Sequence, residues 1–498
     1  MVPHLSIPHA AGEGGGTANS GRGHTPEPRK GTVDRAFAYA HEHRDQYLEE
    51  LREWLRIPSV SALPEHDADC ERAAQWLGDR LRRMEMRVEV IPSARHHPLV
   101  YAERLGVPDA PTVLIYGHYD VQPPDPLELW DSPPFEPTVR GDRLYARGAS
   151  DDKGQVFAVV VALEALLATG GLPVNVKLLV EGEEESSGTE ISAYVPRHRR
   201  KLAADCALVM DSGFFDRGIP AITVGLRGIL YEEVTWQGPE TDLHSGLYGG
   251  AAPNPFHEAV RLLGDLWDRW GRVRIPGFYR RVRLPEEEER HRWQTLRVEE
   301  AALANRIGAR GLVGEAGFSV LERLWARPTF EIHGLGGGFT GPGAKTVLPA
   351  RCTAKVSMRL VPDQDPEQIH RAFERYILRK THPAYRVEIR KLYAGRPWAI
   401  SPHEPAVQAA ARAWREAYGA EVQFIRQGGS VPVVELLART LKLPVVVTGF
   451  GLPDDNLHAP NEKVELPLLW RGVEAVIRFF HHVREALRIS QAEPLKPL

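Results

Sequence analysis

The stretch DKGQVFAVVVALEALLATGGLPVNVKLLVEGEEESSG, residues 152–188, carries the clearest fold signal in the chain. Its first half, 152–170, reads as a helix, and VNVKLLVEG at 174–182 reads as a strand whose apolar run is nearly continuous. TVLIYGH at 112–118 is a similar strand before it, and CALVMDS at 206–212 another after it, across a helix at ISAYVPRHRRKL. Strand–helix–strand units with such strands predict an α/β fold, a mostly parallel sheet covered by helices on both faces. Ligands of such sheets sit at the carboxyl ends of the strands.

Working outward, RVEVI (87–91) and LVYAERL (99–105) read as strands, and AFAYAHEHRDQYLEELREWLRI (36–57) and 69–86 as helices. Pro58 is expected to end the first of these helices. After about residue 225 the pattern changes. A strand-like LRGILYEEVTWQG, a helix at 255–270, a polar Arg/Glu-rich stretch at 277–315, a strand at 351–362 and a helix at 366–380 predict a second, α+β domain inserted in the first. The first domain resumes near 397 with a helix at 405–418, VQFIRQGG, a strand PVVVTGF and a closing helix from 467. The expected division is a disordered tail over 1–33, rich in Gly, Pro, Ser, Thr and His, a discontinuous first domain over 34–216 and 397–498, and an insertion over 217–396.

Composition excludes several function classes. A net charge of −4 without a basic stripe argues against nucleic-acid binding. Cys70, Cys206 and Cys352 are too few and too far apart for a disulfide framework or a cysteine zinc site. No apolar run reaches the roughly 18 residues needed to cross a membrane. The first residues lack a basic segment followed by an apolar one, so a cytoplasmic location is expected.

The acidic and histidine residues follow the apolar runs. His118 and Asp120 stand in VLIYGHYDV, Asp151 in RGASDDKG, Glu184 and Glu185 in EGEEESSG, Asp211 in ALVMDSG, and His458 in LHAPNEK. Two histidines and several carboxylates converging at strand ends form a ligand set for two zinc ions, with one histidine per metal, a shared carboxylate and a spare glutamate as general base. His118 and Asp120, two apart on an extended segment, project to one side, so the aspartate can fix the imidazole tautomer. Each motif alone also has an ordinary reading: Ser150 or Asp151 as a helix N-cap, Asp211 as a turn residue, His458 as a surface-loop histidine. Glutamate occupies four of the five positions 181–185, and burying that much negative charge is costly without cations. The Gly-rich GLGGGFTGPGAKTVLP lacks the Gly-Lys-Ser/Thr ending of a phosphate loop, with Ala344 standing before Lys345.

Taken together, YGHYDVQP, LYARGASDDKG, EGEEESSG, DLHSGLYGG, GAKTVLPARCTAKVSMRLVP and HAPNEK resemble the co-catalytic zinc peptidase family. That family includes aminoacylase-1, glutamate carboxypeptidase, succinyl-diaminopimelate desuccinylase and cytosolic non-specific dipeptidase with carnosinase. The resemblance spans about residues 34–485 and is strongest to the dipeptidase branch. It implies that His118 and Asp211 bind one zinc, Glu185 and His458 the other, and Asp151 both, with manganese or cobalt able to substitute. It implies a cis peptide between Asp151 and Asp152, Asp120 orienting His118, and Glu184 as base. Glu183 stands where relatives often have an uncharged residue, and the paired-glutamate pattern favours Glu184 over it. The insertion is implied to be a lid and dimerisation domain, making a homodimer whose His244 reaches the partner's site to stabilise an oxyanion. Thr346, Arg359 and Ser430 match substrate-binding positions.

The expected reaction is hydrolysis of dipeptides or short peptides with a free C-terminal carboxylate. An N-acyl-amino-acid deacylase or carboxypeptidase is the alternative within the family, and a non-catalytic binding protein on the same fold a remote one.

Overall fold

A computed structural model describes residues 30–93, 97–186, 188–429 and 431–492. At its centre is a nine-stranded sheet. Four parallel neighbours form its middle, in the order Asn175–Glu181, Thr112–His118, Cys206–Val209 and Val445–Thr448. Antiparallel strands flank them: Arg87–Ile91 and Leu99–Arg104 on one side, Ala221–Leu226 and Trp398–Ala399 on the other. The four middle strands are apolar on both faces because helices cover both. Lys153–Thr169, Pro405–Tyr418 and Leu466–Ala492 pack on one side, Thr189–Arg197 and Pro432–Leu441 on the other.

The N-terminal helix begins at Lys30, inside the tail expected over 1–33, and residues 1–29 lie outside the described residues. The stretch read as one helix over 36–57 is two, Lys30–Glu42 and Arg44–Leu55. His43 breaks it, its ring nitrogen Nδ1 engaging the Tyr39 carbonyl at 2.8 Å. The second helix stops at Leu55 because the buried Lys153 ammonium takes the Trp54 and Ile57 carbonyls at 3.1 and 2.8 Å.

The second domain is a four-stranded antiparallel sheet, in the order Thr329–Gly336, Arg351–Leu360, Gly228–Gln237 and Arg386–Gly395. Strict alternation of burial along Gly228–Gln237 puts Leu230, Val234 and Trp236 against the helices Pro255–Gly264 and Pro366–Lys380. The other face is left open.

One boundary differs from the sequence expectation. Ala221–Leu226 and Trp398–Ala399 pair within the large sheet, so the chain crosses to the second domain at Arg227–Gly228 rather than at 217, and returns near Arg396–Pro397, where the resumption near 397 is expected. The polar 277–315 stretch also holds two short helices, Glu287–Thr295 and Glu300–Arg306. With Val320–Trp325 it packs on the first domain: Trp293, Leu321 and Trp325 cluster with Ala221 and Ile425, and Glu289 makes a two-pronged ion pair with Arg426 at 2.7 and 2.8 Å. A few large aromatics suffice to anchor a polar segment, which is why its periodicity was weak. No helix among the described residues is long and apolar enough to cross a membrane.

Candidate metal centre

The carboxyl ends of the four parallel strands converge. His118 ends Thr112–His118, Glu184 and Glu185 follow Asn175–Glu181, Asp211 follows Cys206–Val209, and His458 lies on the loop after Val445–Thr448. Asp151 comes from the crossover just before the Lys153–Thr169 helix, and its peptide bond to Asp152 is cis. Gly117 lets that helix approach, since a Cβ there would meet Asp152 Oδ2 at 2.8 Å and Val156 at 2.4 Å.

Two ligand groups result, His118–Asp151–Asp211 and Asp151–Glu185–His458, each with donor atoms within 4.8 Å of one another. Asp151 belongs to both. Its Oδ1 lies 3.2 Å from His118 Nε2 and its Oδ2 3.0 Å from His458 Nε2, while His458 Nε2 is 3.2 Å from Glu185 Oε1. Two ligands about 2.0–2.1 Å from one tetrahedral ion stand roughly 3.3 Å apart, so these separations fit a shared metal on each side of Asp151. His118 Nδ1 faces the Asp120 carbonyl at 3.1 Å and its carboxylate at 3.3 Å, which leaves Nε2 for the metal. His458 has a left-handed backbone, φ +59°, a conformation costly for a residue with a side chain.

The electrostatics point the same way. Burial pushes the Glu184 carboxyl up to about 9, with Asp211, Glu185 and Asp120 adding repulsion and His118 opposing. Burial likewise raises Asp211 to about 7. Hydrogen bonds to Asp151 and Glu185 raise His458 to about 10. Burial opposes ionisation of Asp151, but the two histidines outweigh it and hold that carboxyl below the usual range. A cluster of acids that must borrow protons is a cluster short of positive charge, and two divalent ions would supply it.

Around the ligands is a brace that sequence reading missed. Glu462 is buried and accepts from the backbone N–H groups of Gly148, Ser150 and Asp151 at 2.9–3.0 Å and from the Arg147 guanidinium at 2.8 Å. It thereby ties the His458 loop to the Asp151 loop. Ser61 donates to Asp120 at 2.6 Å, the Glu185 and Glu184 amides also donate to that carboxylate, and Gln122 holds Glu185 at 2.8 Å. Glu462 stands in HAPNEK and Gln122 in YGHYDVQP, so both motifs carried a signal; nothing in sequence marked Ser61.

Glu183 and Glu184 face different ways. Glu183 accepts from the backbone amides of His97 and Glu190. The Glu184 carboxylate makes no hydrogen bond or ion pair among the described residues.

The remaining candidates lie on the second domain. His244 and Thr346 share one ribbon: Leu243–His244 pairs with Val347–Leu348, and Ser245 N–H donates to the Thr346 carbonyl at 3.0 Å. His244 is exposed, its Nδ1 accepting from Gly246 N–H at 2.9 Å, and it is in neither ligand group of its own chain. Arg359 projects from the open sheet face, where burial holds its guanidinium below the usual range. Arg227, at the crossover, is pushed down to about 10 by burial and by Arg359. Its Nε donates to the Gly428 carbonyl at 3.2 Å. Ser430 lies outside the described residues.

The family model of peptidase family M20/M25/M40 matches residues 114–482. The chain is 30% identical to human Beta-Ala-His dipeptidase over 92% of this chain and 94% of that protein. It is 29% identical to Cys-Gly metallodipeptidase dug1 of Schizosaccharomyces pombe, over 91% and 99%. Among solved structures, the metallo-carboxypeptidase Sso-CP2 of Sulfolobus solfataricus superposes with a TM-score of 0.78 at 32% identity, covering 88% of this chain and 99% of that one.

Proposed function

The chain belongs to peptidase family M20/M25/M40, a peptide-bond hydrolase by descent, and from that premise we propose that it is a two-metal dipeptidase. The observation that carries the reading is Asp151, whose two carboxylate oxygens each face a histidine of a different ligand group. His118 and Asp211 would hold one ion, Glu185 and His458 the other, with Asp151 between them. Zinc suits this mixed imidazole and carboxylate set, and manganese or cobalt would occupy it too. When bound, the ions supply Lewis acidity and a water acidic enough to react at neutral pH.

The protein's own residues do the rest. Asp120 keeps the His118 Nδ1 proton in place. Glu184, with no competing partner, accepts a proton from the attacking water on its carboxylate and returns it to the leaving amine. Glu183 is engaged by backbone amides, which supports Glu184 for this role. Arg359 with Thr346 and Ser430 holds the substrate, the guanidinium gripping its terminal carboxylate. That grip selects short substrates.

His244 acts across a homodimer formed through the second domain, donating to the developing oxyanion in the partner's site. Its exposed position beside Leu247 and Tyr248, 76% and 47% exposed, supports a surface that another chain covers. A cytoplasmic location belongs to the same reading and is supported by three buried, unpaired cysteines.

Carboxypeptidase action on longer peptides is the second reading, favoured by the likeness to Sso-CP2. The test is hydrolysis of unmodified L-dipeptides, longer peptides and N-acetyl-amino acids by zinc-loaded and EDTA-treated protein. Metal-dependent cleavage confined to dipeptides is expected. Cleavage of the longer peptides or of the acylated compounds alone would move the specificity to the carboxypeptidase or deacylase reading.

A further inference from the structure

A cavity of about 380 Å³ opens on the second domain, apart from the metal centre, between the Pro366–Lys380 helix and the loop that follows Ile275. Four arginines line it. Arg371 and Arg375 stand one helical turn apart on the helix, with Arg375 Nε folded back onto the Arg371 carbonyl at 3.0 Å. Arg280 and Arg281 come from the facing loop, and buried Phe278 contributes to the lining.

None of the four guanidiniums meets a carboxylate among the described residues. This sets them apart from their neighbours. Arg261 pairs with Glu258 at 2.6 Å, Arg274 with Asp265 at 2.5 Å, and Arg283 with Asp363 at 2.5 Å. The one acid lining the cavity, Asp365, is already taken by Arg396 at 2.7 Å and by the amides of Glu367 and Gln368. Four like charges around one concavity repel one another unless an anion enters.

We propose that this cavity binds a small organic anion carrying two phosphate groups. Arginine presents a planar fork matched to phosphate oxygens, and the arginines come as two pairs on two walls, one pair for each phosphate. The volume falls at the small end of the range for metabolite sites. The inference is independent of the peptidase reading, because no residue of the cavity belongs to the metal centre or to the proposed substrate contacts.

The test is calorimetric titration of the metal-loaded, full-length protein with fructose 1,6-bisphosphate, which carries two separated phosphates, with fructose as control. Saturable binding of one bisphosphate per chain, weakening as salt is raised, and none of fructose, is expected. Arg371→Gln/Arg375→Gln and Arg280→Gln/Arg281→Gln should each weaken binding at least tenfold and leave dipeptide turnover unchanged. The two double variants alter separate exposed segments, so misfolding of one leaves the other to decide. Absence of saturable binding would overturn the proposal. So would binding undiminished in the variants, which would place the anion elsewhere, for example at the metals.

Discussion

The two domains set their candidate functional residues in opposite ways. In the first, the candidate ligands are set in a lattice of mutual support: Glu462 alone accepts three backbone amides and a guanidinium, and Asp120 is held by Ser61 and two amides. In the second, His244 and Thr346 ride an exposed ribbon whose strands are two residues long. A metal centre needs ligands fixed before the ion arrives, because carboxylates crowded together repel until it does. Groups that meet a substrate or a second chain need access more than rigidity. Braced residues are therefore expected to govern metal binding and stability, and ribbon residues turnover alone.

That contrast can be broken by mutation. The largest effect is expected for Glu184→Gln: turnover should fall about a thousandfold, a value typical of lost general acid–base catalysis, with both metals retained. Substantial residual activity would remove Glu184 as the base. His244→Ala should follow at about a hundredfold, the usual loss for one oxyanion donor, again with metal content and melting temperature unchanged. Mixing the His244→Ala and Glu184→Gln proteins should restore part of the activity, and no recovery would count against a site shared between subunits.

Glu462→Gln probes the brace instead. Removing one partner of a buried ion pair typically costs about 3–5 kcal/mol, so a lower melting temperature together with weaker zinc retention is expected. Unchanged stability would show that the loops hold without it.

A smaller and condition-dependent effect concerns pH. In metal-free protein Glu184, Asp211 and His458 keep their protons to about 9, 7 and 10, above their unfolded values of roughly 4.3, 3.9 and 6.5. The folded state then binds more protons than the unfolded one, so stability is lost as pH rises through that window. The melting temperature of EDTA-treated protein should fall between about pH 6 and pH 9, and that of zinc-loaded protein much less; parallel profiles would argue against metals at these residues. The smallest effect is expected for Glu183→Gln, less than tenfold in turnover, because its carboxylate serves loop amides.

Much of the fold was legible. Thr112–His118 and Pro405–Tyr418 match their sequence readings residue for residue, because an apolar run with both faces covered or a strong helical stripe is a local signal. Two strands of the second domain, Thr329–Gly336 and Arg386–Gly395, were not legible. Both are edge strands, mostly exposed, and each is interrupted by a bulge, at His333 and at Leu392, which destroys the two-residue period. The placement of 287–325 on the first domain was hidden for a related reason, since it depends on Trp293 and Trp325 finding partners about a hundred residues away.

Patterns within a few residues were enough for the parallel strand–helix architecture and for the chemical types available at the strand ends: two histidines, one aspartate able to serve both, and adjacent glutamates. It took the folded chain to show that the two oxygens of Asp151 face different histidines, that Glu183 turns to the backbone while Glu184 is left free, and that Glu462 joins two loops separated by some three hundred residues. Orientation at that level is set by long-range packing and hydrogen bonds, and a side chain's identity does not say which of its possible partners it will meet.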